Sequence, residues 1–152
     1  MKPDPAIVAF STPQRVAVVG VSRTRWKFGN TVFRELLRRG YDAVPVSMSD
    51  VPIEGKRAFL SLSVIPDPPE SVIVVVKPER VGGLVDEAVR TGVRRIWFQQ
   101  GADFTEAAAL AKAAGLDVVT GKCILMYAEP VGGIHAVHRY LSRLFSRLRG
   151  VS

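Results

Sequence analysis

R-V-A-V-V-G-V-S-R-T-R-W-K-F-G-N-T-V-F-R-E-L-L-R-R, running from Arg15 to Arg39, is the stretch whose reading decides the fold. Val16, Ala17, Val18 and Val19 form a continuous apolar run, the pattern of a strand covered on both faces of a parallel sheet. Gly20 ends that run. A loop through Val21 and Ser22, carrying Arg23, Arg25 and Lys27, then leads to Gly29 and Asn30, where an amphipathic helix begins. The free N–H groups of a helix's first turn, reinforced by the helix dipole, favour negative charge. A glycine at such a turn lets a ligand come close to the backbone. Strand, basic loop and helix together predict an anion site, and the anion suited to it is a nucleotide's phosphate. On this reading Gly20→Val should block the phosphate and abolish binding. Arg25→Ala should weaken binding by an amount that shrinks at high salt.

Outward from that stretch, strand and helix keep alternating. The helix from about Asn30 to Arg39 places Val32, Phe33, Leu36 and Leu37 on one stripe, and Gly40 closes it. Tyr41 to Val46 reads as a second strand, with Pro45 predicting an irregular end. Ser47 to Pro69 is proline-punctuated connection, with a helical turn expected near Ser61–Ile65. Ser71 to Val76 is the clearest interior strand, and Lys77-Pro78 then reads as a helix start with Val81, Leu84, Val85, Ala88 and Val89 on one face. Arg95 to Phe98 is a fourth strand, followed by Gln99-Gln100-Gly101 and a helix that Thr105 could cap. Asp117 to Val119 is a short fifth strand. Before the first strand, a short helical turn is expected near Pro5–Phe10. The class is α/β: a Rossmann-like, doubly wound parallel sheet of about five strands with right-handed crossovers. An additional basic amphipathic helix is expected within residues 131–149.

The chain has 152 residues, 47% of them hydrophobic, which predicts one domain with a substantial core. A single cysteine, Cys123, excludes an intrachain disulfide, and no apolar run is long enough to span a bilayer. The first residues carry prolines where a secretion signal needs an apolar core, so the expected compartment is the cytoplasm. The net charge of +7 raises a nucleic-acid reading, but it sits in two patches. Arg139, Arg143, Arg147 and Arg149 form one and the Arg23–Lys27 loop the other. Aromatics that would stack bases are missing from the tail stripe, which disfavours nucleic acid. The tail stripe reads first as the solvated side of a helix docked on the sheet, and second as a surface for a protein partner or a second copy of the chain. His135 and His138 lack a third metal ligand, and Cys123 has no neighbouring His or Asp to activate it.

Ligands of open parallel sheets bind beyond the carboxyl ends of the strands, where strand order reverses. The residues there are Gly20-Val21-Ser22, Ser47, Lys77-Pro78 and Gln99-Gln100-Gly101. They form a polar rim without a hydrolytic triad. The turn also departs from the NAD fingerprint, which wants G-x-G-x-x-G and an acid about 20 residues on. Here a longer loop separates Gly20 from Gly29, and the second strand ends without an acid before Asp50. NAD is disfavoured; NADP or coenzyme A, with more phosphate charge, suits Arg23, Arg25 and Lys27 better.

V-A-V-V-G-V-S at 16–22, G-N-T-V at 29–32, R-G-Y-D-A-V-P-V at 39–46, K-P at 77–78, W-F-Q-Q-G at 97–101 and G-K-C-I at 121–124 occur in that order. This series resembles the stand-alone CoA-binding proteins, whose Rossmann-like domain is similar to the nucleotide-binding domain of the succinyl-CoA synthetase α chain. The resemblance spans roughly Ser11 to Leu125. It implies that the Gly20–Ser22 loop and the helix start at Gly29 hold the phosphates. Ser47 and Lys77-Pro78 would line the nucleotide, and Gln99 to Gly101 would close the other side. Ser47-Met48 stands where the family usually has Asn-Pro. The synthetase's phosphorylated histidine belongs to a second domain and nothing here replaces it, so the resemblance implies binding of coenzyme A or an acyl-CoA without catalysis. An NADP-dependent oxidoreductase or nucleotide sensor, and an interaction protein acting through the basic tail helix, are the alternative readings.

Overall fold

The alternation of apolar side chains inside the strands decides how the layers form. The computed structural model describes residues 2–129. Its strands β1 (Arg15–Val19), β2 (Asp42–Val46), β3 (Ser71–Val74), β4 (Arg95–Gln99) and β5 (Asp117–Lys122) make one parallel sheet in the order β2-β1-β3-β4-β5. Val16, Val18, Ile73, Trp97 and Val119 point to one face, where they pack with Phe10, Val32, Phe33 and Leu36. Ala17, Val72, Val74, Ile96 and Phe98 point to the other, against Leu84, Val85, Ala88, Phe104 and Ala111. A run such as Val16–Val19 is therefore apolar throughout because each face receives every second residue.

Helices α1 (Pro5–Ser11) and α2 (Phe28–Arg38) cover the first face, and α3 (Leu84–Arg90) and α4 (Thr105–Ala113) the second. This division follows from direction. The chain steps from β1 outward to β2, then returns past β1 and steps the opposite way through β3, β4 and β5. Crossovers of one hand must then lie on opposite faces. The order reverses between β1 and β3, and that is the topological switch point.

Four expectations are corrected. Pro45 lies inside a regular β2: its carbonyl faces outward and accepts Phe59 N–H (3.0 Å), so its missing N–H falls on the side away from β1. The helix expected from Pro78 is instead a 3-10 turn, Pro78–Arg80, and α3 begins only after Gly83, whose φ of +78° breaks the helical path. Thr105 does not cap α4; the Asp103 carboxylate accepts its N–H (2.9 Å) and its hydroxyl (2.5 Å). β5 continues through Thr120, Gly121 and Lys122, which are exposed and so gave no apolar signal. The turns near Pro5–Phe10 and Ser61–Ile65 are where they were expected. The tail helix of residues 131–149, with Ile134–Leu148 and His135 and His138, lies outside the described residues.

Candidate functional site

The turn after β1 is built by two glycines pressed together. Gly20 (φ +113°) passes over the end of β3, and a Cβ there would lie 2.7 Å from the Val75 carbonyl carbon and oxygen. A Cβ on Gly29 would fall well inside contact distance of the Gly20 carbonyl oxygen. The first turn of α2 is thus brought directly onto the end of β1, a close approach that only glycine permits at both positions. The expectation for Gly20→Val is corrected accordingly: the added atoms would collide with Val75 and Val76 beneath the turn, so the substitution strikes the fold itself.

Asn30 then fixes the loop. It is 1% exposed; its Oδ1 accepts the Ser22 N–H (3.0 Å) and its Nδ2 donates to the Ser22 carbonyl (2.6 Å). The Ser22 hydroxyl in turn accepts the Thr24 N–H (3.0 Å), and Lys27 N–H donates to Thr24 (3.1 Å). Val21 is buried in the core. Among the described residues, the N–H groups of Phe28 and Gly29, the first two of α2, have no acceptor. Two unpartnered donors at a helix N-terminus are what an anion requires.

Around them stand the charges. Arg23 and Lys27 are exposed and have no ion-pair partner among the described residues. Arg25 is 77% exposed on its side chain and leans toward Glu54 (3.7 Å), which also faces Arg34 (3.4 Å). Trp26, in the same loop, is 84% exposed.

β2, β1, β3 and β4 are consecutive, so Ser47, Gly20–Ser22, Lys77-Pro78 and Gln100-Gly101 stand in a row along the sheet's upper edge. Neighbouring strands are about 4.8 Å apart, and the row spans roughly 15 Å. Ser47 is nearly buried, its N–H bonded to Phe59 (2.9 Å). Lys77 is exposed and makes no side-chain hydrogen bond among the described residues. Gln99 departs from its expected place in the rim. It is 2% exposed, its Nε2 donates to Cys123 Sγ (2.9 Å), and its Oε1 accepts Ile124 N–H (3.1 Å). It ties down the turn after β5, and the exposed Gln100 and Gly101 are what the rim presents.

Arg80 escaped the sequence reading. It reaches the end of β2, with Nη1 3.3 Å from Met48 Sδ, and so closes the crevice over the switch point with a further positive charge. Only its spacing from Lys77, three residues within one turn, could have suggested it.

Next to this basic crevice lies a concavity of about 300 Å³ between the 3-10 turn and the N-terminal ends of α3 and α4. Pro78 lines it, and so do Glu79, Asp86, Asp103 and Glu106, with no basic side chain. The hydrogen bonds from Thr105 hold the Asp103 carboxyl below its usual range, so it is charged at neutral pH. A second concavity, of about 450 Å³, lies along the outer edge of β2 beside Arg15, Asp42 and Arg57, away from the strand ends. Among the described residues no group of three or more His, Cys, Asp or Glu could hold a metal ion, and no helix is long and apolar enough to cross a membrane.

The CoA binding domain family matches residues 14–129. The uncharacterized protein YneT of Bacillus subtilis (strain 168) is 31% identical over 111 residues, covering 73% of this chain and 82% of that one. A solved hypothetical protein from Pyrococcus horikoshii OT3 is 31% identical with a TM-score of 0.68, covering 83% of this chain and 82% of its own. The dinucleotide-forming acetyl-coenzyme A synthetase 1 of Ca. Korarchaeum cryptofilum, solved with phosphate and ADP, shares the fold over 74% of this chain and 26% of its own, at 22% identity and a TM-score of 0.65.

Proposed function

Since the chain belongs to the CoA-binding domain family, we propose that it binds coenzyme A or an acyl-CoA at the turn after β1 and carries out no chemistry of its own on that ligand. One observation carries the reading: the N–H groups of Phe28 and Gly29, unpartnered among the described residues, stand at the start of α2 where it packs on the end of β1, the strand at which the order reverses. The pyrophosphate takes those donors, with Arg23 and Lys27 beside it. Ser47, Lys77-Pro78 and Arg80 line the nucleotide side, and Gln100-Gly101 close the crevice. Gly20, Val21 and Ser22 act through backbone position, Asn30 through its side-chain clasp on Ser22, and Gln99 by holding the turn below. Arg25 contributes least, since Glu54 already faces it.

Thermal unfolding of the full chain with CoA, acetyl-CoA, NAD, NADP or ATP tests this. A ligand of the native state at a hundredfold excess over its Kd adds about 2.7 kcal/mol, or roughly 5–10 °C for a chain of this size. A midpoint raised by CoA and acetyl-CoA alone is the expected result. A shift with NADP alone supports the oxidoreductase reading, and no shift at all moves attention to the basic tail. Lys27→Ala should weaken CoA severalfold, with the deficit shrinking in high salt as counterions screen the lost contact.

A further inference from the structure

We propose that the concavity between α3 and α4 receives the acyl group of an acyl-CoA, and that it accepts uncharged aliphatic groups and rejects carboxylated ones. This rests on the reading that CoA occupies the basic crevice. The floor and walls are Val81, Val85 and Phe104, each 6% exposed, with the half-exposed Ala107 and the exposed Leu110 at the mouth. An apolar surface of this kind sits beside the strand ends, where a bound molecule would shield it from water. Pro78 belongs both to the row of strand-end residues and to this lining, so the crevice and the concavity are neighbours across one residue.

Charge sets the orientation. Arg23, Lys27, Lys77 and Arg80 are on the crevice side, and Glu79, Asp86, Asp103 and Glu106 ring the concavity. A molecule with phosphates at one end and a neutral thioester at the other fits that polarity in one direction only. The phosphates face the cations and the acyl end faces the carboxylates. An acyl group that ends in its own carboxylate would bring a fifth negative charge among four. A volume of about 300 Å³ is room for roughly ten waters at about 30 Å³ each, enough for a short aliphatic chain with solvent to spare.

Matched thioesters test this by calorimetric titration of the full chain. Each methylene fully removed from water tightens binding about fourfold, and less in a half-open site. Hexanoyl-CoA should therefore bind about tenfold or more tighter than acetyl-CoA. Butyryl-CoA should bind about tenfold tighter than succinyl-CoA, which has the same carbon count. Asp86→Asn with Glu106→Gln should narrow that last gap, as should high salt. Ala107→Phe, at a half-exposed position of α4, should remove the hexanoyl advantage and leave free CoA unchanged.

Equal affinity for CoA, acetyl-, butyryl-, hexanoyl- and succinyl-CoA overturns the acyl pocket while leaving CoA binding intact. Weakening of free CoA by Ala107→Phe also overturns it, since the concavity would then hold part of CoA itself. Failure of every thioester and of CoA to bind overturns the underlying reading instead.

Discussion

Around Gly20 the chain leaves no spare volume, whereas around Gly83, beside the acidic concavity, an added methyl group would meet nothing within 4 Å. Both glycines have positive φ, at +113° and +78°; the first ends β1 and the second precedes α3. The difference is in what surrounds them. The turn after β1 is closed by contacts in sequence: Gly20 against Val75, Gly29 against Gly20, Asn30 around Ser22. The rim above β3 and β4 is open, shaped by a 3-10 turn and the starts of α3 and α4 around the concavity. A rigid donor cluster suits a phosphate, whose size and charge never vary. An open rim suits whatever part of the ligand varies.

Substitution should break that contrast most sharply at Gly29. Gly29→Val drives a branched side chain into the Gly20 carbonyl, and the neighbour that would have to move is backbone. Overpacking of this kind costs more than about 3 kcal/mol once the backbone must shift. The expected outcome is loss of the cooperative thermal transition, or aggregation on expression. A variant that melts within 2 °C of wild type, on the order of a surface change, would mean that the turn is not closed as described.

Asn30→Ala removes the clasp and leaves the Ser22 N–H and carbonyl without their partners. The cost is about 2 kcal/mol, with the midpoint falling by roughly 4–8 °C. The loop would also loosen, so phosphate affinity should fall with it. Stability lost without any change in CoA affinity would separate the clasp from the site.

Several of these roles were not legible in the sequence, for reasons that differ by residue. Gly20, Gly29 and Asn30 stand out as a turn before an amphipathic helix, and the parallel α/β class follows from the alternation of strands and helices; the strand order does not. What Gly20 and Asn30 touch is tertiary: Val75 arrives from β3, and the Ser22 backbone is brought back by the loop's own curl. Gln99 offers the same amide as Gln100, and only strand geometry decides that one turns inward to Cys123 and Ile124 and the other to solvent. Arg80 meets Met48 because β2 and β3 flank β1, an adjacency that spacing does not state. Apolar periodicity continued across Val81, Leu84 and Val85 and suggested one helix from Pro78, but Gly82-Gly83 interrupts it and opens the space that becomes the concavity.

On the open side, Gly83→Ala tests the contrast at lower cost. The new methyl meets no atom, so the penalty is that of a left-handed backbone conformation alone, about 1 kcal/mol. The midpoint should fall by roughly 2–4 °C. A loss as large as that of Asn30→Ala would show that the rim is packed as tightly as the turn.

The smallest expected effect lies at the far end of α2, whose seating delivers its N-terminus to Gly20. Glu35 accepts Arg38 Nη2 (2.5 Å) and Arg39 Nε (3.0 Å), and the buried Arg39 also donates to the Leu125 (2.7 Å) and Ala128 (2.8 Å) carbonyls. The hydrogen bond from Arg38 holds the Glu35 carboxyl below its usual 4.5; partial burial opposes this and the bond from Arg39 adds to it. A lowered folded value means that its contribution is complete above about 4.5 and is lost as pH falls through the lowered value. Glu35→Gln should therefore melt below wild type at pH 7, by an amount worth under about 1 kcal/mol, and the two should converge as the pH is taken to 3. A gap that stays constant from pH 7 to 3 would assign the loss to packing of the glutamine and not to the carboxylate's charge. Convergence would place the electrostatic anchor of α2 at its C-terminal end, away from the donors of Phe28 and Gly29, which have no acceptor among the described residues. The carboxylate nearest the loop, Glu54, is turned toward Arg25 and Arg34, so the helix start keeps the positive end of its dipole for an anion.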